Sequence, residues 1–172
     1  MIKNYGLFGF GLQKGVGKKA TAPTVSIHAS SDSNGLTAER TLESLKLTKG
    51  SPVDVDTYVS ETAPKFEVTT LAFPDMMALL GYAALGSIKS EGEAAPYTHT
   101  ISPGEDLPYV TVTEQKGSKA AALAEMVDGK VDTLKLTAEG VAPIQVDLAI
   151  NGTNMSWLSA TAWTGPAFDI AQ

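Results

Sequence analysis

Asp128-Gly129-Lys130-Val131-Asp132-Thr133-Leu134-Lys135-Leu136, followed after a short break by Ile144-Gln145-Val146-Asp147-Leu148-Ala149-Ile150, decides the fold class of this chain. In the second run Ile144, Val146, Leu148 and Ile150 alternate with Gln145, Asp147 and Ala149. That is the period of a strand with one apolar and one polar face. Asp-Gly is a strong hairpin signal, so a strand over 118–126 should reverse there into one over 131–138. The latter then pairs with 144–150. The alanines of 118–126 favour helix by propensity, but the turn beside them argues for strand.

The same period governs most of the chain on either side. Residues 24–30 read as a strand that ends in the turn Ser31-Asp32-Ser33-Asn34-Gly35. A second follows over 39–48, then the turn Lys49-Gly50-Ser51-Pro52. Val53, Val55, Thr57 and Val59 alternate with Asp54, Asp56 and Tyr58, Pro64 interrupts, and 66–73 is rich in β-branched and aromatic residues. Residues 89–96 read as a polar loop, with strands over 97–101 and 107–114. One helix is expected over about 74–85. Pro74 suits its first position, Asp75 its positive end and Gly86 its C-terminal cap. Met76, Leu80, Ala83 and Ala84 share a stripe, with Met77 beside it, that suits packing against a sheet. Glu43-Ser44-Leu45-Lys46-Leu47-Thr48 is echoed by Asp132-Thr133-Leu134-Lys135-Leu136-Thr137, as two equivalent hairpins, one per sheet, would produce.

The expected fold is therefore mainly β: a β-sandwich or flattened barrel over 23–172 with one flanking helix. Residues 1–22 are set apart as an extended N-terminal arm. Five glycines there are interleaved with Tyr5, Leu7, Phe8, Phe10 and Leu12. Glycine at that density resists a fixed local conformation, while the aromatics call for a surface to pack on. At the other end Trp157, Leu158, Trp163, Pro166, Phe168 and Ile170 crowd the last residues. They are expected to dock on a neighbour or to lead into a further domain beyond Gln172.

Composition narrows the function classes. The 172 residues suit one domain that folds without staples, and the absence of Cys removes disulfides, thiolate metal sites and Cys nucleophiles. A formal charge of −6 argues against a phosphate-binding surface. The longest apolar run, near 76–85, is well short of the ~20 residues that span a bilayer, so no membrane insertion is expected.

A search for chemistry returns little. Lys18 after Gly15-Val16-Gly17 hints at a phosphate loop, but Leu12 and Lys19 stand where the motif needs Gly and Ser or Thr. His28 and His99 are each alone on a strand, which suits a solvated side chain better than a metal ligand. Asp54 and Asp56 lie on one face of one strand, as acid–base carboxylates or simply as a wet sheet face. Neither an enzyme nor a cofactor is expected.

Several motifs in order carry a resemblance: Phe73-Pro74-Asp75-Met76-Met77-Ala78-Leu79-Leu80-Gly81-Tyr82, Tyr97-Thr98-His99-Thr100-Ile101, Leu107-Pro108-Tyr109-Val110-Thr111-Val112, and the Asp128 to Leu136 run quoted above. Short helix, threonine-rich strand, LPYVTV strand and DGKVDTLKL run in that sequence resemble the tail tube proteins (major tail proteins) of long-tailed bacteriophages, over roughly residues 39–150. The resemblance implies a virion structural protein, assembled in the host cytoplasm, whose hexameric rings stack into a tail tube for DNA ejection. Its partners would be other copies of itself and further tail proteins (tape measure, terminator, distal tail), with DNA passing through without specific binding.

On that reading Tyr5, Leu7, Phe8, Phe10 and Leu12 form an inter-ring arm. Asp54, Asp56, Asp132, Lys135, Gln145 and Asp147 lie on strands that line the lumen or meet a neighbouring subunit. An acidic chain suits a bore to which DNA does not adhere. The alternatives are a related tail component of the same fold (terminator, distal tail or contractile-system tube protein) and a non-viral β-sandwich binding module. The last would need an exposed aromatic platform, which Trp157 and Trp163 could supply.

Overall fold

A computed structural model describes residues 6–20, 25–29, 33–45, 56–92, 98–116 and 123–158. Within them the order is β1 (Gly6–Leu12), β2 (Val25–His28), β3 (Gly35–Leu45), β4 (Asp56–Leu71), α1 (Pro74–Leu85), β5 (Gly86–Glu91), β6 (Thr98–Pro103), β7 (Val110–Lys116), β8 (Leu123–Thr137), β9 (Gln145–Asn151) and β10 (Asn154–Leu158). The chain is mainly β with one helix, as its alternation predicts. Strands pair in the order β2-β1-β7-β8-β9-β4-β3, with β10 also on β8 and β5-β6 as a separate pair. Every pairing is antiparallel. A bridge from Ala29 to Thr70 brings β2 round to β4, so two sheet layers close into a flattened barrel.

The corner between the layers is β8. Its first half pairs with β7 and β10, its second half with β9. Asp128-Gly129 does not reverse the chain, which corrects the hairpin expected there. From Val110↔Gly129 to Val112↔Met126, β7 advances two residues while β8 advances three, so the dipeptide is a bulge inside one continuous strand. Asp128 supplies the left-handed backbone, φ 54°, which Asp tolerates better than most residues. Gly129 supplies the room: a Cβ there would lie 2.8 Å from Ile150 Cγ2 and 3.1 Å from Val110 Cγ2. The strand turns a corner, and only the hairpin of β8's second half with β9 stands as expected.

Inside the barrel, Phe8, Phe10, Ile27, Phe66, Val68, Val110, Val112, Met126, Val146, Leu148 and Ile150 form the core with Met76, Leu80 and Ala83 of α1. Phe8 of one layer meets Phe66 of the other edge to face, 5.2 Å between centroids. Each such side chain is worth about 1.5–3 kcal/mol of burial. The helix has the expected ends: Pro in its first turn, and Gly86 at φ 91° donating its N–H to the Tyr82 carbonyl.

Four further expectations are corrected. Residues 6–12 are no arm: β1 is an interior strand between β2 and β7. The Phe8-Gly9-Phe10-Gly11-Leu12 run is itself a period-two strand, with Phe8 and Phe10 inward and Gly9 and Gly11 on the other face. Pro64 does not interrupt β4. Its carbonyl accepts from Gly152 N–H at 2.9 Å, and in a strand a residue's N–H side is its carbonyl side. The missing donor thus faces the point where β9 has already ended, and the ladder loses nothing. The polar loop begins too early, because Gly86–Glu91 pairs with β6 and only residues 93–96 of it lie outside the described residues. The two echoing hairpins, β3-β4 and β8-β9, sit in one layer rather than one per sheet.

Candidate assembly surface

β4 is longer than the barrel that contains it. Its last residues pair with β9 from Lys65↔Asn151 to Leu71↔Gln145, whereas among the described residues Asp56 to Glu61 pair only with β3. Beyond Pro64, β3 and β4 therefore leave the barrel as a two-stranded ribbon. Its strand period carries on from the core, with the polar pair Arg40 and Thr62 on the core-phased face between Ala38 and Leu42. Leu36 opposite Phe66 is buried, Ala38 opposite Pro64 is next, and Leu42 opposite Val59 follows on the same face, 66% and 48% exposed. A core-facing phase thus runs on past the core. The other face carries Glu39, Glu43, Tyr58 and Glu61, with one bulge opposite Thr41-Leu42. The Tyr58 hydroxyl donates to Glu43 Oε2 at 2.8 Å, a bond that, with some desolvation, raises the phenol above its ordinary pKa.

The root of the ribbon is pinned. Leu36 N–H donates to Glu114 Oε2 at 2.7 Å inside the barrel, and Gly35, at φ 71°, lies so close to that carboxylate that a Cβ would meet it at 2.8 Å. On the outer face of the same layer, Lys65 pairs with Glu67, and Asn34 Nδ2 donates to Glu67 Oε2 at 2.8 Å. Glu67 is held below the usual carboxylate range by the Lys65 hydrogen bond first and Asn34 second, and Lys65 is raised by the same contact. Thr69 Oγ1 donates to Asp147 at 2.9 Å, and Lys135 faces Asp147 at 3.8 Å.

Residues 13–20 form the second built feature, a strap over the outer face of the other layer. Gln13 N–H donates to the Tyr109 carbonyl at 2.8 Å. Gly17 N–H donates to Asp128 Oδ1 at 2.7 Å and Ala20 N–H to Thr111 Oγ1 at 3.0 Å. Lys19 pairs with Glu125, a mostly buried carboxylate, at 3.2 Å. Lys14 and Lys18 project from the strap, exposed. The Gly15-Val16-Gly17-Lys18 run that hints at a phosphate loop is instead held to the sheet through Gly17, a long-range contact that no local motif signals.

The structure separates the residues singled out in the sequence. Phe8 and Phe10 are buried, Leu12 packs half-buried against the core, and Leu7 lies in β1. An inter-ring arm built on these side chains would have to unpair β1, and Tyr5 lies outside the described residues. Asp54 also lies outside them, and Asp56 opens β4 opposite Leu45. Lys135, Gln145 and Asp147 do share the polar outer face of the β8-β9-β4 layer, with exposed Asp132 at its bulge. Trp157 on β10 is 63% exposed, while Trp163 is not among the described residues. Among the described residues no group of three His, Asp or Glu could hold a metal, and no helix is long and apolar enough to cross a membrane.

No family model and no curated protein sequence matches this chain. Its fold is similar to that of a chain in the cryo-EM structure of the anti-feeding prophage baseplate, with a TM-score of 0.51 at 7% identity, over 93% of this chain and 96% of that one. A crystal structure of Hcp protein aligns over 92% and 95% at 9% identity, but its TM-score of 0.33 establishes no shared fold. What this chain shares with the prophage baseplate chain, over nearly the full length of both, is its fold.

Proposed function

We propose that this protein is a self-assembling structural component of a phage-type tail, forming hexameric rings that stack into a tube through which DNA passes. One observation carries the reading: the core-phased face of the β3-β4 ribbon, with Leu42 and Val59 exposed, runs on where its own barrel no longer covers it. A two-stranded ribbon alone is marginal in water, and an open edge such as β3 invites pairing with another chain. Association with further copies supplies both a cover and a partner. The full-length fold likeness to a baseplate chain of a prophage supports placing that association in a tail-like particle. The polar outer face with Lys135, Gln145 and Asp147 is suited to water, whether it lines a lumen or the outside of a ring. No enzymatic role is proposed.

That similar chain belongs to a baseplate, so a ring at the end of a tube, rather than the tube itself, is the second reading. Electron microscopy of the purified protein over a range of concentrations tests both. Tubes of uniform width support the tube, isolated rings the terminal component. A monomer at high concentration overturns the self-assembly reading.

A further inference from the structure

The ribbon and the strap carry opposite charges, several of which form no ion pair among the described residues. On the ribbon, Glu61 stands opposite Thr41 and so lies between Glu39 and Glu43 on one face, while Arg40 alternates to the other. Three carboxylates in that arrangement repel one another. Neither Glu39 nor Glu61 has an ion pair with another described residue. The strap is the reverse. An acidic chain places three of its thirteen basic residues at Lys14, Lys18 and Lys19. The carboxylates beneath them are already engaged, Glu125 by Lys19 and Asp128 by the Gly17 N–H. Lys14 and Lys18 therefore stand on a braced loop with no ion pair among the described residues.

We infer that the acidic face of the β3-β4 ribbon of one copy seats on the lysine strap of a second copy. This rests on the self-assembly reading above and adds which surfaces meet and in what sense. The two surfaces are different patches of one chain, so a contact made once per pair of copies is heterologous and closes as a ring or continues as a filament, whereas a reciprocal pair of such contacts would stop at a two-fold dimer. Charge complementarity of this kind selects partners and register. Bracing the strap on Tyr109, Thr111 and Asp128 before the partner arrives lowers the ordering cost of the contact.

Charge reversal tests it. Lys14→Glu with Lys18→Glu, and Glu39→Lys with Glu61→Lys, alter exposed side chains only, and circular dichroism should show both variants folded. Each is expected to raise the concentration needed for assembly, read by light scattering, by about tenfold or more. Combining all four changes in one chain should restore assembly, as should mixing the two variants, since each then offers the other an opposite surface. If strap reversal leaves assembly unchanged, or neither the combination nor the mixture recovers it, the inference is overturned. It is also overturned if strap reversal weakens binding to a duplex oligonucleotide while assembly persists, because the lysines then face nucleic acid. A wild-type chain that never assembles overturns the parent reading as well, and that outcome is visible before any variant is made.

Discussion

The two halves of β4 differ in everything except their backbone. From Pro64 to Thr70 alternate side chains are buried, Phe66 completely, under strands from both layers. Before Pro64 the strand stays paired with β3 through one bulge, but its described side chains are exposed on both faces. One continuous strand therefore serves first as a wall of the barrel and then as a ribbon in water. The same strand is a core wall in one half and an uncovered surface in the other, which makes stability and assembly separable by mutation.

The largest separation should come from β1, whose burial replaces the expected arm. Removing residues 1–20 deletes an interior strand and should leave the chain without a cooperative thermal transition in circular dichroism, whereas a free arm would leave the transition in place. Within the full chain, Phe10→Ala or Phe66→Ala should cost about 3–5 kcal/mol in denaturant unfolding. At the corner, Gly129→Ala forces a methyl against Ile150 and Val110 and should cost about 1–3 kcal/mol by overpacking. Leu42→Ser with Val59→Ser, on the ribbon half, should stay within about 0.5 kcal/mol of wild type in the monomer. The same pair should raise the concentration needed for assembly, and an unaltered threshold would mean that face covers nothing.

The smallest effect is electrostatic and lies at the root of the ribbon. Glu67 has its folded pKa lowered by Lys65 and Asn34. Its contribution is present above the unfolded carboxylate pKa near 4.3 and fades as pH falls through the lower folded value. The raised pKa of Lys65 has the opposite sense: its contribution is present below the unfolded lysine pKa and lost as pH rises past the folded one. Both groups are exposed, so melting temperature should barely respond. An NMR titration of Glu67 in the Lys65→Met variant should show its midpoint move up towards the ordinary carboxylate value. An unmoved midpoint would assign the depression to Asn34.

Sequence legibility followed how local each signal is. Helix α1 was readable to the residue because Pro74 and Gly86 act through their own backbone dihedrals, and β9 because Val146, Leu148 and Ile150 alternate without exception. The Asp128-Gly129 dipeptide misled for the complementary reason. Its left-handed backbone serves a hairpin or a bulge equally well, and the neighbours of Gly129 choose between them. The glycines of β1 misled through entropy, since glycine on the outer face of a strand and glycine in a loose arm look alike until a sheet is present. Of the candidate surface, Lys135, Gln145 and Asp147 were found by alternation. The ribbon was not, because exposure of Leu42 and Val59 depends on where β9 ends.

Taken alone, the order of residues determined the β class, the helix with both its ends, the β8-β9 pairing, the acidic balance and the presence of a lysine-bearing glycine loop. These follow from side-chain period, backbone dihedral preference and charge, each of which acts over a few residues. Tertiary structure decided that β1 is an inner strand, that β8 turns a corner, that the loop is braced as a strap and that β4 outruns its barrel. Those outcomes depend on which distant segments arrive beside one another, and no local period carries that information.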